Sequence, residues 1–289
     1  MCGIIAVNSH VNATCTINKS VKSIKHRGPD STGTYISENG DSQLGHVRLS
    51  ILDLSSAGHQ PMHDGSKRYI ISYNGEIYNF VFLRKELEKK YGIIKWKSNT
   101  DTEVIIEGFA REGKCFLNKL NGIFSLAIYD AKRSKMFVLR DPAGIKPLYF
   151  VEQNGHVIFS SEVKAILEIP GLSLTIRKQS LADVLTFMYV PDPHTMYNEI
   201  KKVEPGICYE YHQGKLIQAD KLFSHLSKKI KFNSEFAFRR RHATCVFQRY
   251  DGSRVLSGFR ADRRIYGRWG GGADFRERGK WGWRLKYPK

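Results

Sequence analysis

The chain has 289 residues, of which 41% are hydrophobic, so it can bury at least one substantial core. No apolar run approaches the roughly 18 residues that a membrane helix needs, and the early run Ile4–Val7 lacks the length and basic flank of a signal peptide. We therefore expect a cytoplasmic protein with no membrane partner. The cysteines form no CxxC pair or zinc-like cluster, so no metal site is predicted, and those after Cys2 are interpreted as free buried thiols, at positions 15, 115, 208 and 245.

The formal net charge of +18 is concentrated near one end of the chain. Residues 228–289 hold 18 of the 46 Lys and Arg residues but only 5 of the 28 Asp and Glu residues. Three of the four tryptophans also lie there, and aliphatic residues are rare. Such a segment buries too little apolar surface to offset its chain entropy, so we predict that it is disordered or translated out of frame.

Hydrophobic periodicity predicts a mixed fold. Strands are expected at 2–8, 45–54, 68–73, 122–129, 136–140, 147–151 and 156–160, with a final pair within 203–211. Helices are expected at 80–91, 101–112, 162–167 and 179–187. Strands in succession with helices grouped between them favour an α+β sandwich over alternating βαβ units.

Cys2 stands in a position where its own backbone could activate it. If Met1 is removed, Cys2 carries a free α-amine beside its thiol, and the unperturbed pKa of such an amine, about 7.7–8.0, lets it accept the thiol proton. Gly3 leaves room for backbone to pass close to a substrate. Met-Cys-Gly alone is a weak signal, for which an ordinary buried cysteine is the simpler interpretation.

An ordered series of further motifs reverses that interpretation. The motifs lie at 1–5, 26–30, 45–54, 58–62, 73–79, 101–105, 120–122, 140–149 and 160–165. Together they closely resemble the glutaminase domain of glutamine-hydrolysing asparagine synthetases, which are class II glutamine amidotransferases, from residue 1 to about 211. The resemblance implies the N-terminal-nucleophile hydrolase fold, a four-layer αββα sandwich of two antiparallel sheets. It also implies hydrolysis of L-glutamine to glutamate and ammonia through a Cys2 thioester, without a cofactor.

The resemblance assigns roles to individual residues. Asn74 and Gly75 resemble the oxyanion hole, and a tetrahedral oxyanion needs two aimed donors. Arg48 resembles the residue that pairs with the substrate α-carboxylate, and Asp101 the residue that holds its α-ammonium. Glu76 is expected to assist Asp101, and the backbone of Leu49, Ser50, Ile51 and Leu52 is expected to line the pocket.

Plainer structural interpretations remain open for several of these residues. Asn74-Gly75 is also a strong signal for a tight turn between strands, and Asp101 stands where a helix N-cap is expected. His26–Asp30 is either a lid over glutamine or an ordinary turn. No chemistry is assigned to 140–149, where Asp141 and Lys146 are interpreted as a structural ion pair or a contact to a second domain.

The family pattern stops before the chain does. Residues 1–190 are predicted to be the amidotransferase domain, and 191–227 a linker-like segment that resembles the start of the synthetase region. The Ser-Gly-Gly-x-Asp-Ser loop that binds ATP and Mg in the full-length family is absent. We therefore expect no asparagine synthesis by this chain alone, and a synthetase domain or a second copy as its protein partner.

Two rival functions come from other classes. Arginines interleaved with tryptophans in 228–289 could bind single-stranded nucleic acid, although no recognisable binding fold accompanies them. A catalytically silent domain that binds only glutamine or a partner is the other alternative, and the intact Cys2, Asn74 and Gly75 argue against it.

Overall fold

The computed structural model describes residues 1–9 and 17–223, together with the backbone of two short strands at 247–248 and 254–255. The first strands are β1 (Gly3–Ser9), β2 (Ser31–Ile36), β3 (Ser42–Arg48), β4 (Met62–His63), β5 (Tyr69–Ile77) and β6 (Gly122–Asp130). They are followed by β7 (Lys135–Arg140), β8 (Tyr149–Gln153), β9 (His156–Ser160), β10 (Lys201–Lys202), β11 (Ile207–His212) and β12 (Lys215–Lys221). The helices are α1 (Asn18–Ser23), α2 (Phe80–Tyr91), α3 (Asp101–Glu112), α4 (Lys114–Leu117), α5 (Val163–Leu167) and α6 (Lys178–Phe187).

The strands form two six-stranded sheets in which every ladder is antiparallel. One sheet has the order β10-β8-β9-β1-β3-β2 and the other the order β12-β11-β7-β6-β5-β4. We call them the first and the second sheet. No helix among the described residues is long and apolar enough to cross a membrane.

Three apolar layers separate four layers of secondary structure. The central layer lies between the sheets and includes Ile4 and Ala6 of the first sheet with Ile70 and Tyr129 of the second. Helices α2, α3 and α4 cover the outer face of the second sheet, and α1 and α5 cover that of the first. The predicted four-layer αββα sandwich of two antiparallel sheets is confirmed.

The predicted helices agree with the structure better than the predicted strand ends do. Helices α2 and α3 have the predicted bounds. The strand predicted at 45–54 ends at Arg48, and the one predicted at 68–73 continues to Ile77. The second difference matters for function, because Asn74 and Gly75 lie inside β5 and the tight-turn interpretation is wrong.

Six of these elements had no counterpart in the sequence-based prediction: α1, α4, β2, β4, β10 and β12. The final strand pair predicted within 203–211 is wrong, because β11 alone lies there and its partner β12 begins at Lys215. Strand β2 alternates half-buried and exposed residues at one edge of the first sheet, and β12 is almost wholly exposed at the edge of the second. Edge strands need few apolar residues because neighbours cover little of their surface, so hydrophobic periodicity is weak there.

The chain divides into two compact units, Met1–Lys228 and Lys229–Lys289. Strands β10, β11 and β12 follow the predicted boundary at residue 190, and they pair with β8, β7 and β11 respectively. The domain boundaries themselves stay predictions. In the second unit the described part is a ladder of β13 (Phe247–Gln248) and β14 (Arg254–Val255). The prediction that 228–289 is disordered or out of frame otherwise concerns residues outside those described.

Removing one aromatic ring from the central layer tests its contribution to stability. Phe159 is 1% exposed, and its ring centroid lies 5.9 Å from that of Phe150 and 5.3 Å from that of Tyr211. We expect Phe159→Ala to lower the free energy of unfolding by about 3–5 kcal/mol, because it leaves a cavity between rigid sheets. Urea denaturation measures the loss. Leu185, which is 77% exposed, is the control, and Leu185→Ala should stay within about 0.5 kcal/mol of wild type. Equal losses in the two variants would contradict this role for the layer.

Candidate active site

The alternation of side chains along two strands brings Cys2 and Asn74 to the same space. Ile4 and Ala6 of β1 point into the central layer, so Cys2, two residues before Ile4, has the same orientation. In β5 the even-numbered Ile70 lies in that layer, and Asn74 shares its parity. Strands β1 and β5 pack against each other across the layer. The layer therefore ends in a polar region to which each sheet contributes one of these residues.

His46 links the two walls of this region. It pairs with Ile4 in the ladder of the first sheet, and its Nε2 lies 3.0 Å from the carbonyl oxygen of Tyr73 in the second. Burial lowers the pKa of His46 to about 3. The imidazole is therefore neutral, Nε2 donates to the carbonyl, and the bond fixes β5 against β3 at the residue before Asn74.

The Cys2 thiol lies at the end of β3. Its Sγ accepts from the Leu49 N–H at 3.4 Å and lies 3.6 Å from the Leu49 carbonyl oxygen. Burial raises the pKa of the thiol, while the Leu49 N–H and the positive charges of the N-terminus, Arg48 and Lys146 act in the opposite direction. Arg27 donates from Nε to the Cys2 carbonyl at 2.9 Å and so fixes the backbone of Cys2.

Asn74 carries a buried donor that nothing in the described structure satisfies. The residue is 2% exposed, and its Nδ2 finds no hydrogen-bond partner among the described residues. Leaving such a group unpaired costs about 1–3 kcal/mol, so an orphaned side-chain amide is uncommon in a native interior. This donor is available to a ligand that enters the polar end of the layer.

The Gly75 N–H points away from the neighbouring strand. Gly75 stands directly opposite Phe124 of β6, but the N–H and the carbonyl of Phe124 are both directed to Asp141 on the other side. Opposite residues in an antiparallel ladder exchange both hydrogen bonds or neither. The Gly75 N–H is therefore turned toward the open edge of β5, beyond the short β4. A Cβ on Gly75 would come within 2.4 Å of the Ile123 carbonyl oxygen, which explains the glycine.

Side chains satisfy the backbone donors on either side of Gly75 at this edge. The Tyr73 N–H donates to Gln60 Oε1 at 2.7 Å, and the Ile77 N–H donates to Asp101 Oδ2 at 3.0 Å. The Tyr73 hydroxyl reaches the same Asp101 oxygen at 2.6 Å. Gln60 and Asp101 thus stabilise the strand edge that presents Gly75, and Asp101 lies at the end of that edge.

Asp101 is buried rather than a surface cap. It is 4% exposed, and burial raises its pKa in spite of the hydrogen bonds that it accepts. The N-cap of α3 is Thr100, whose hydroxyl accepts from the Glu103 N–H. The interpretation of Asp101 as the N-cap is therefore wrong by one residue, and the carboxylate is free of that role.

Arg48 is buried at the end of β3, and its guanidinium holds the segment that follows. Nη1 donates to the Ser55 carbonyl at 2.8 Å, and Nη2 donates to that of Asp53. The backbone of 49–52, predicted to line the pocket, is the first part of this segment. Leu49 and Ser50 are half-buried, and Ile51 and Leu52 are exposed. Glu76 is exposed on β5 between Gly75 and Ile77.

The predicted lid at 26–30 is attached to the site at several points. It begins in a 3-10 helix, Lys25–Arg27. Arg27 and His26 both contact the Glu162 carboxylate, at 3.0 and 2.9 Å, and Asp30 accepts from the Ser50 N–H at 2.7 Å. Whether this segment closes over a ligand stays a prediction.

Four residues whose contacts build this region were not among the predicted site residues: Arg27, His46, Gln60 and Tyr73. All four lie within motifs noted in the sequence. Their contacts span many residues of sequence, so only the assembled sheets reveal them. Spacing along the chain offers no signal for such partners.

Two other expectations need correction. Asp141 forms no ion pair with Lys146 but accepts from its backbone N–H at 3.0 Å, so that alternative is wrong, and a contact to a second domain stays a prediction. Cys115 is a free thiol as predicted, yet it is exposed rather than buried. Cys208 is free and buried, and Cys15 and Cys245 lie outside the described residues. Within the part of the chain that the structure describes, no group of His, Cys, Asp and Glu could hold a metal ion.

Comparison with known proteins points to one family. A sequence profile described as a glutamine amidotransferase domain matches residues 1–221. Asparagine synthetase (glutamine-hydrolyzing) 1 of Bacillus subtilis is 37% identical over 212 residues, covering 71% of this chain and 33% of the relative. A putative asparagine synthetase (glutamine-hydrolyzing) 2 of Methanocaldococcus jannaschii is 38% identical, covering 65% of this chain and 39% of the relative. The chain thus corresponds to about a third of the length of these relatives.

Solved structures show the same fold in more distant proteins. The glutamine phosphoribosylpyrophosphate amidotransferase of B. subtilis, in complex with ADP and GMP, superposes with a TM-score of 0.57. The match covers 76% of this chain and 49% of that one, at 18% sequence identity. This likeness concerns the arrangement of the two sheets and their helices.

The buried His46 makes stability depend on pH. The pKa of His46 in the folded state, about 3, lies below the unfolded value of 6.5. The contribution of neutral His46 to the free energy of unfolding is therefore complete above pH 6.5 and is lost as pH falls toward 3. We expect the stability of wild type relative to His46→Gln to fall by about 1.4 kcal/mol per pH unit in that window. Urea denaturation at several pH values measures it, with the exposed His59→Gln as the matched control. Parallel curves for wild type and His46→Gln would contradict the assignment.

Proposed function

Because this chain belongs to the glutamine amidotransferase domain family, we propose that it hydrolyses L-glutamine to glutamate and ammonia, with Cys2 as the nucleophile. One observation carries most weight: the buried Nδ2 of Asn74 has no hydrogen-bond partner among the described residues, and the Gly75 N–H points to the open edge of β5. Strand β5 packs against β1, the strand that Cys2 precedes, which supports placing both donors close to the thiol. The oxyanion of an acyl-transfer intermediate requires two free hydrogen-bond donors close to the nucleophile.

The reaction divides into two acyl transfers. The Cys2 thiol gives its proton to the α-amine of Cys2, and the sulfur attacks the side-chain amide carbon of glutamine. The intermediate places its negative oxygen between the Asn74 amide and the Gly75 N–H. Its collapse breaks the carbon–nitrogen bond, and the ammonium of Cys2 returns the proton to the leaving ammonia. Water then cleaves the glutamyl thioester to glutamate and regenerates the thiol.

Three charged groups are proposed to bind the amino-acid end of glutamine. Asp101 supplies an anion for the α-ammonium at the end of the Gly75 edge, and the exposed Glu76 assists it. Arg48 supplies the cation for the α-carboxylate, since two of the five guanidinium donors are occupied by carbonyls and the others can still pair. The backbone of Leu49, Ser50, Ile51 and Leu52 forms the adjoining wall.

The use of the ammonia is a further part of the proposal. The names of the relatives from B. subtilis and M. jannaschii join glutamine hydrolysis to asparagine synthesis. We propose that this domain supplies ammonia to such a synthesis, in which ATP and Mg act outside the glutaminase site. The chain matches about a third of each relative, so the glutaminase half-reaction is the one to assay.

Substitution of the nucleophile and of one oxyanion donor tests the mechanism. We expect Cys2→Ala to abolish release of glutamate from glutamine, and Asn74→Ala to lower kcat about 10²–10³-fold because one donor is lost. A coupled glutamate assay measures both. Cys115→Ala is the matched control, since Cys115 is an exposed free thiol, and it should keep wild-type activity.

The outcomes separate the rival functions. Equal glutamate release by wild type and Cys2→Ala would overturn the thioester mechanism. A wild-type chain that binds glutamine in calorimetry without hydrolysing it would instead support the silent binding domain. Salt-dependent retention on single-stranded DNA, lost on deletion of 228–289, would support the nucleic-acid alternative.

Asp101 is predicted to act on substrate binding more than on chemistry. Asp101→Asn keeps an oxygen that accepts from Tyr73 and Ile77 but removes the charge that faces the α-ammonium. We expect KM for glutamine to rise at least tenfold with a smaller change in kcat, because a charged hydrogen bond to substrate is weakened. Steady-state kinetics measure the two constants. An unchanged KM would show that the ammonium binds elsewhere.

A further inference from the structure

The motif at 140–149 holds one lysine in a fixed backbone position. The Lys146 N–H donates to Asp141 Oδ2 at 3.0 Å, and the Lys146 carbonyl accepts from Arg140 Nε at 2.8 Å. Asp141 is fully buried and also accepts from the Ala143 and Ile145 N–H groups. The most conspicuous motif without assigned chemistry is therefore a rigid support for the main chain of Lys146.

The side chain of Lys146 extends from this support to the N-terminus. Its Nζ lies 3.4 Å from Sδ of Met1, and Lys146 takes part in none of the ion pairs among the described residues. Lys146 is half-buried. The structure thus places an ammonium without an ion pair beside the residue that precedes the nucleophile, 145 positions away in sequence.

We propose that Lys146 is a positioning residue that holds the α-amine of Cys2 in its neutral, proton-accepting form. This inference rests on the proposed function, in which that amine takes the thiol proton. The Met1 side chain branches from the residue whose removal exposes the amine. A cation that reaches the Met1 sulfur therefore lies beside the end of the chain at which the amine is formed.

The physical reason is repulsion between like charges. A nearby ammonium disfavours a second one, so Lys146 makes protonation of the Cys2 amine harder. The same charge lowers the pKa of the Cys2 thiol, although burial outweighs it. Both effects let the pair of amine and thiol lose its first proton at lower pH. Removal of Lys146 should therefore move the onset of activity to higher pH.

The other charged groups around Cys2 do not duplicate this role. Arg27, from the 3-10 helix, is paired with Glu162. Arg48, at the end of β3, also lacks an ion pair among the described residues, but two backbone carbonyls hold its guanidinium and its charge is assigned to the substrate α-carboxylate. On β5 the Tyr73 side chain packs in the outer apolar layer and its hydroxyl donates a hydrogen bond to Asp101. Of these groups, Lys146 is the cation whose side chain contacts the residue before Cys2.

The test compares Lys146→Met with the matched variant Lys146→Arg. We expect the acid limb of the pH profile of kcat/KM to move to higher pH by about one unit in Lys146→Met, a loss of about tenfold on that limb. At the alkaline plateau the two variants should differ little, and Lys146→Arg should follow wild type. High salt should reduce the difference in the acid limb between wild type and Lys146→Met, because the Lys146 ammonium is partly exposed and salt screens its charge.

Three measurements keep this proposal separate from the glutaminase proposal. Intact mass spectrometry establishes that Met1 is absent to the same extent in all variants, and retention of Met1 in an active wild-type chain would overturn the role of the amine. An acid limb that stays in place in Lys146→Met, or a uniform loss at every pH, would show that Lys146 is only structural. Loss of activity in Cys2→Ala upholds the glutaminase proposal whatever the result for Lys146. Full activity of Cys2→Ala would overturn both proposals.

Discussion

The strict alternation of side chains along β1 and β5 is the constraint on which the site depends. Residues of one parity in both strands face the central layer, so apolar side chains fill it along most of its length. Where the two strands leave that layer, the same parity delivers Cys2 from one sheet and Asn74 from the other. A slip of one residue in either strand would turn Cys2 or Asn74 to the opposite face of its sheet.

The polar end of the layer is stabilised by cross-sheet hydrogen bonds and destabilised by buried groups that the proposed chemistry would use. His46 and Ser72 join the sheets through the carbonyls of Tyr73 and Gly45. Against this, the buried Asn74 amide is left without a partner among the described residues, and burial raises the pKa of both Cys2 and Asp101. Unsatisfied groups of this kind cost stability and are retained where a ligand completes them.

The fold and the proposed chemistry of this domain depend on different parts of the sequence. An amidotransferase structure with 18% identity shares the two-sheet arrangement, so the sandwich tolerates wide sequence change. The proposed chemistry depends instead on a few positions at one end: the residue before β1, two adjacent residues in β5 and the first residue of α3. A shared fold alone would not license the function, because function resides in such local constellations.

The sequence by itself determined the layer architecture through its family motifs, the limits of α2 and α3, and the candidate residues Cys2, Asn74, Gly75, Arg48 and Asp101. Local periodicity suffices for a helix, since each turn reports its own buried face. Only the tertiary structure decided that Asn74-Gly75 lies within a strand and that Lys146 reaches Met1. Both depend on which strand or loop lies alongside, and that information is not local in the chain. A cation 145 positions from its neighbour becomes a partner only when the sheets have packed.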